Sequence, residues 1–456
     1  MILLCPLFGI LLLSPSGAQP AELSFDAALN VLRERNEALK AARTERDISE
    51  QQRLAARGLY LPKIELGARY VKLNDPISID LNPVREVLLA LHPTVPSSAI
   101  PSFDLDVQDG RYWQAYIGLT WPVFTGGRIT AANRASDALL DASNEELRAT
   151  EYGLMTQLAQ RYFGLRLAQK VVDVRFRMLE AIKSHLARAG ALEKEGMIAK
   201  AERLHAEVAH AEADRLHRGA IRDACMAETA LRSTLSMDSP VKVSSPLFTV
   251  ENLEDVSYFK ETAVKQNPLL HRLAAQKEAA HQGFQKEKGT LFPEVYLFAN
   301  RQLHEDDLTV LDPSWAAGMG LTMTLFDGMK RTHKISAARL LEKKTSHIME
   351  RAQRDILTLI EKRYQEVMKA GEQLQAIAAS FAAAEENIRV RTRAFEEGFG
   401  TSLDVVDAEC ALCRARLERL AAVYQLDVSL AGLLEASGRS ERFDEYRTKA
   451  GAEVIF

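Results

Sequence analysis

Alternation of apolar and polar residues marks four short stretches of this chain. Ile64, Leu66, Ala68 and Tyr70 alternate with Lys63, Glu65, Gly67 and Arg69, and Val295, Leu297 and Ala299 hold the same phase against Glu294, Tyr296, Phe298 and Asn300. Trp113, Ala115, Ile117, Leu119 and Trp121 alternate with Gln114, Tyr116, Gly118 and Thr120. Their later counterparts are Trp315, Ala317, Met319, Leu321 and Met323, set against Ala316, Gly318, Gly320 and Thr322. A period of two puts alternate side chains on opposite faces of a strand. The pattern therefore predicts strands at about 61–72, 112–124, 291–302 and 314–326.

Between and after the strands the pattern is helical. All fifteen prolines fall at or before Pro313, and none lies between Pro122 and Pro240. Proline interrupts helices, and the proline-free regions are dominated by the strong helix formers Ala, Leu, Glu, Arg and Gln. A helix from Gly127 to Ala189 would span roughly 95 Å, and one from Gly328 to Glu397 about the same or slightly more. Breaks at Glu195-Gly196-Met197 and Glu397-Gly398-Phe399-Gly400 each precede another helix. A structural coiled coil would show the same periodicity.

The chain is internally repeated. Asn36-Glu37-Ala38-Leu39 aligns with Asn267-Pro268-Leu269-Leu270, and at the same offset Gly58 with Gly289 and Leu61-Pro62 with Phe292-Pro293. A second offset aligns GLTWPVF with GLTMTLF, Arg161-Tyr162 with Arg363-Tyr364, and Glu195-Gly196 with Glu397-Gly398. The offsets, 231 and 202 residues, differ by 29, so the first half carries that many extra residues between Tyr70 and Gly118. The layout is a first repeat at 19–237, a connector at 238–254, a second repeat at 255–437 and a tail at 438–456. The repeats place helix-hairpin tips near 196 and 398, and an outer loop at 73–111 whose 84–91 stretch has helical character. Thr125, Gly126 and Gly127 form the first strand-to-helix joint, with Thr125 as N-cap, and Asp327 and Gly328 the second.

One-sided alternation serves a soluble sheet or a transmembrane barrel. Ten-residue strands, with Trp113 and Trp121 bracketing a band of roughly 25 Å, favour the barrel and its aromatic girdle, and Trp315 repeats a girdle position. Four strands cannot close a barrel, and open edges are not tolerated in lipid. The strands must then be shared among copies, and three copies give a twelve-stranded homotrimer. The expected fold is mostly α with a membrane β-barrel part. Each repeat reads helix-strand-strand-helix-helix, and the barrel runs on into a long α-helical barrel.

Composition narrows the function. A formal net charge of -4, with charges of both signs, does not point to nucleic acid. Charged residues at 26% and a mean hydropathy of -0.16 exclude a polytopic helical membrane protein. Residues 1–18 read as a secretory signal peptide, with an apolar run from Ile2 to Leu13 and cleavage after Ala18. Cys5 is too far from that cleavage site for a lipid anchor. Cys225, Cys410 and Cys413 remain, and Cys410-Ala-Leu-Cys413 lies within a helical run without a second ligand pair. It is read as two small packing residues rather than a metal or redox site. Glu207-x-x-His210 and Glu278-x-x-His281 have the spacing of di-iron ligands but fall too far apart in the repeat layout to share a metal. No phosphate loop or nucleophilic triad stands out, so no cofactor, metal or catalysis is expected.

Taken in order, these elements resemble the TolC-like outer-membrane efflux proteins. The resemblance rests on the duplicated halves, Gln266-Asn267-Pro268, the turns Pro122–Gly127 and Leu325–Gly328, and the segment Gly398–Glu409. It implies a homotrimeric duct through the outer membrane and periplasm of a Gram-negative bacterium. That duct would be served by a periplasmic adaptor and an inner-membrane pump. It implies a periplasmic aperture ringed by Asp404 and Asp407, with Glu202 at the equivalent position of the first repeat. It also implies adaptor docking at the tips Gly196 and Gly398. Phe395 and Gly400 stand where the family's tyrosine and arginine lock the gate. The rival reading is a periplasmic coiled-coil scaffold or adaptor without a pore. It explains the helices but not four aligned strands with repeated tryptophans.

Overall fold

The computed structural model describes residues 21–250, 252–304 and 313–449. The expected signal peptide lies outside them. The first half runs β1 (Ala21–Leu23), α1 (Phe25–Arg35), α2 (Glu37–Gly58), β2 (Lys63–Lys72), β3 (Ile77–Asp80), α3 (Asn82–Leu91), β4 (Asp104–Gln108), β5 (Arg111–Phe124), α4 (Arg128–Lys194) and α5 (Lys200–Leu235). The second runs β6 (Val241–Val243), α6 (Val256–Gln266), α7 (Pro268–Gly289), β7 (Glu294–Gln302), β8 (Trp315–Thr322), α8 (Lys330–Glu396), α9 (Ser402–Ser437) and α10 (Phe443–Lys449). The protein is mostly helical, and α4 and α8 are each 67 residues long.

The repetition extends to single hydrogen bonds. Asn36 accepts from the amides of Ala38 and Leu39 to start α2, while its side-chain amide donates to Thr234 O at 2.9 Å. Asn267 does the same for Leu269 and Leu270 at the start of α7 and donates to Ala436 O at 2.8 Å. Each asparagine thus caps one helix and ties it to the end of another. Two compact units result, and neither is a sequence repeat. One comprises residues 47–142 and 273–348, the other the remaining described residues, so each draws on both halves.

The larger unit is a helical core. Leu154, Leu158, Tyr162 and Leu165 of α4 pack with Leu426, Leu430 and Leu434 of α9. At its centre Phe25 and Phe163 stack at 5.4 Å, with Phe248 and Phe443 against them. The buried Tyr162 hydroxyl donates to Leu23 O at 2.7 Å and accepts from Ser245 N at 2.9 Å. That arrangement satisfies a polar tip inside an apolar cluster. It also braces β1, which pairs in parallel with β6, a two-stranded contact with no counterpart in the sequence pattern.

The smaller unit contains a four-stranded antiparallel sheet in the order β2-β5-β7-β8. Its register carries one apolar row across all four strands: Ile64 faces Leu119, Leu119 faces Ala299, and Ala299 faces Ala317. That face is open. Leu66 is 74% exposed and Met319 72%, as on a surface built to meet something other than water. The opposite face is not simply polar. The Tyr116 ring lies over Gly67, where a Cβ would come within 2.6 Å of it, and the Tyr296 ring covers Gly320 in the same way. Within 73–111, α3 covers the 84–91 stretch read as helical, the antiparallel β3–β4 ladder was not anticipated, and Arg85 of α3 donates to Ser97 O and Ile100 O.

Candidate functional site

The strand-to-helix joints come first. Gly126 and Gly127 both adopt left-handed φ, at +61° and +78°, which only glycine enters without penalty. Thr125 Oγ1 accepts weakly from Ile129 N at 3.4 Å, so its cap on α4 is a poor one. At the second joint Asp327 accepts from the amide and the guanidinium of Arg331, at 3.2 and 3.0 Å, and Gly328 has φ +68°.

The three tryptophans lie on the exposed apolar face of the sheet. Trp113 packs against Tyr70 with ring centroids 5.2 Å apart, and Trp315 sits opposite Arg301. Trp121 donates its indole N–H to Tyr60 O at 2.8 Å, leaving its ring outward. An indole with one satisfied polar tip and an exposed body suits a membrane–water boundary.

The tips lie in the other unit. α4 and α8 end in left-handed glycines, Gly196 at φ +73° and Gly398 at +82°. Met197 N returns to Leu192 O and Phe399 N to Ala394 O, the wrap that closes a helix C-terminus. Gly400 lies close against this turn, since a Cβ there would meet Phe395 N at 3.1 Å. Phe395 is 2% exposed and packs with Ala189, Ala206 and Val405 in a small apolar cluster. Phe395 and Gly400, which stand in place of the tyrosine and arginine named in the resemblance, thus pack into the tip itself.

Thr401 and Asp404 form a reciprocal capping box at the start of α9. The Thr401 hydroxyl and amide, with Arg391 3.3 Å away, hold the Asp404 carboxyl below the usual carboxylate range. Asp407 is exposed one turn on. Glu202 is not a copy of Asp404 in action. It leaves its own N-cap, Ala199, without a side-chain bond and instead accepts from Ser402 N at 2.7 Å, joining the two tips. The Ser402 side chain is fully buried and lies 2.7 Å from His185 Nε2. Desolvation, followed by the nearby Arg188 charge, lowers the pKa of His185.

The sequence reading missed His185, Ser402 and Arg391. Thr401-x-x-Asp404 does carry the capping-box spacing, but nothing local joins His185 to Ser402, 217 positions away. The set-aside pairs are differently engaged: Glu207 binds Arg203 at 2.5 Å, and His281 faces Glu342 at 2.8 Å. Among the described residues no group of three His, Cys, Asp or Glu could hold a metal. The three described cysteines are free.

One exposed apolar sheet and two 67-residue helices in a single chain define the fold of an outer-membrane channel. The chain belongs to the outer membrane efflux protein family, whose match covers residues 28–236 and 261–439. It is similar to Protein CyaE of Bordetella pertussis, 22% identical over 334 residues, covering 72% of this chain and 70% of the relative. It is also similar to outer membrane protein TolC of Vibrio cholerae, 23% identical over 47% of this chain and 52% of that protein. Among solved structures, the outer membrane protein VceC of Vibrio cholerae superposes with a TM-score of 0.72 at 16% identity. That match covers 91% of this chain and 96% of the other. Family and fold are those of channel proteins, not enzymes.

Proposed function

We propose that this protein is the outer-membrane channel of a tripartite efflux or type I secretion system. Three copies close a twelve-stranded barrel and form a passive duct that reaches through the periplasm, with an adaptor and an inner-membrane pump supplying the cargo. One observation carries the reading. The sheet exposes a continuous apolar face, and its edge strands β2 and β8 have no further partner among the described residues. In lipid, that combination is stable only when copies close the ring. Asp404, Asp407 and Glu202 lie at the tips, where they would set the charge of the periplasmic aperture, and the turns at Gly196 and Gly398 would meet the adaptor. An apolar N-terminal run from Ile2 to Leu13, read as a signal peptide, supports export to this location.

Fractionation of the native host and planar-bilayer recording test this directly. The expected result is outer-membrane retention, heat-modifiable mobility in SDS and a stable ion conductance. A freely soluble periplasmic protein without conductance overturns the channel in favour of a scaffold.

A further inference from the structure

The two halves of the chain obey a pair of offsets, 231 residues through the first strand of each and 202 from the second strand onward. The strand registers obey them too. Ile64 faces Leu119 in the β2–β5 ladder, and the residues displaced by those offsets, Val295 and Leu321, face each other in the β7–β8 ladder. The ladder that joins the halves, β5–β7, has no image within the chain, because its image would join β8 to a second β2.

We propose that β8 of one copy pairs with β2 of the next in the transposed register of β5–β7. This inference rests on the reading of copies closing one barrel and adds which residues meet. In the chain, Ile117 faces Arg301, Leu119 faces Ala299 and Trp121 faces Leu297. Across the seam, Met319 faces the partner's Tyr70, Leu321 the partner's Ala68 and Met323 the partner's Leu66. These six residues share the phase of the exposed apolar face, so the row of apolar side chains continues around the ring.

Two features that one chain leaves unexplained fit this seam. Gly126 and Gly289 touch backbone to backbone, and a Cβ on Gly126 would lie 2.4 Å from Gly289 O. Their images, Gly328 and Gly58, are also glycines, yet a Cβ on either meets nothing within 4 Å. Gly58 has no left-handed φ to account for it, and glycine weakens a helix end that alanine would favour. The contact it fits is with Gly328 of the partner subunit. Second, β5 runs on to Phe124, held by Val295 of β7, whereas β8 stops at Thr322. Phe326, the image of Phe124, is 78% exposed, and Leu325 beside it is 84% exposed. One pair opposes the seam: the Arg128–Glu294 ion pair maps to Lys330 and the partner's Lys63, which places like charges there. Lys63 is drawn aside there by Glu65 of its own strand.

The test uses the full chain with its native cysteines replaced by alanine and a short thiol-specific cross-linker in detergent. Leu321→Cys is combined in turn with Ala68→Cys, Leu66→Cys or Tyr70→Cys. The expected result is an intermolecular ladder in denaturing gels, several-fold stronger with Ala68→Cys than with the other two. A maximum at position 66 or 70, or no cross-link in an assembly that still migrates as an oligomer, overturns the register while leaving the barrel reading intact. A monomer in detergent with no cross-link overturns both. Gly58→Leu supplies a second arm: helical circular dichroism retained with loss of the SDS-resistant oligomer supports the seam, and an unchanged oligomer counts against the glycine contact. Lys63→Glu is expected to raise the temperature at which the oligomer dissociates, and a lower temperature speaks against the pairing.

Discussion

The Glu202 carboxylate at the start of α5 accepts the amide of Ser402 at the start of α9, at 2.7 Å. The first four amides of a helix have no partner inside it, so a carboxylate there both satisfies a donor and meets the positive end of the dipole. Glu202 thereby clips one hairpin tip to the other. Glu202→Ala should cost about 1 to 2 kcal/mol of local stability, the usual worth of an N-terminal cap. Hydrogen exchange at the Ser402 amide should speed up roughly tenfold or more while amides in the α4–α9 core stay protected. Unchanged exchange at Ser402 would show that the clip does not hold the tips.

The tip should loosen in acid. His185 is 2% exposed, packs on the Phe395 ring at 4.7 Å, touches Ser402 and is faced by the charges of Arg188 and Glu202. Its folded pKa lies below the ordinary 6.5, so between the two values the unfolded tip binds more protons than the folded one. The stability it contributes is complete above about pH 6.5 and declines as the pH falls toward the folded value. Limited proteolysis between Leu192 and Lys200, followed from pH 7.5 to 5, should show this acceleration. His185→Gln should flatten the profile, and an equally steep profile in that variant would assign the effect elsewhere.

Asp404 and Asp407 should separate under substitution. Asp404 is committed to Thr401 and Arg391, whereas Asp407 is exposed. Asp407→Asn should therefore lower the cation-over-anion permeability ratio in planar bilayers without altering the start of α9. Asp404→Asn should lower the ratio less, because Arg391 already offsets part of its charge, and should also fray the first turn of α9. Equal selectivity in wild type and the double variant would remove both from the aperture.

Much of this architecture was legible because the signals are local. Alternation located the strands, proline-free stretches the long helices, and the paired offsets the duplication; the helix breaks followed from Gly196 and Gly398. The rest depends on residues that meet only after folding. Tyr116 reads as one polar-face residue among several until its ring is seen over Gly67. Glu202 aligns with Asp404, yet with Ala199 in place of Thr401 it has no hydroxyl to box with and turns to the neighbouring helix instead. His185 and Ser402 carry no mutual signature at all. Contacts between residues far apart in the chain are thus what a single sequence shows least.

Two adjacent glycines offer a contrast at the joint after β5. Gly127 and Gly126 share left-handed φ, but a Cβ on Gly127 meets nothing while one on Gly126 strikes Gly289 O. Gly127→Ala should cost about 1 to 2 kcal/mol, the left-handed penalty alone. Gly126→Ala adds a backbone clash and should cost at least about 2 kcal/mol more, displacing α7 from the joint. Thermal unfolding of the two variants in the same detergent checks the order, and a smaller loss for Gly126→Ala would contradict the packing.

Asp427 is fully buried in α9, and its Oδ1 has no partner among the described residues. Its other oxygen takes only a long bond from Phe248 N at 3.5 Å. Burial without a cation raises its pKa well above the ordinary value, so the folded protein holds this proton where the unfolded chain has released it. Stability from this group is therefore greatest in acid and falls as the pH rises from about 4 through the folded pKa. Asparagine has nearly the same shape and no proton to lose. Asp427→Asn should raise the melting temperature at pH 7 and narrow the gap between wild type and variant as the pH approaches 4. A variant less stable than wild type at pH 7 would mean that the carboxylate is ionised and held by a partner, against the burial seen here.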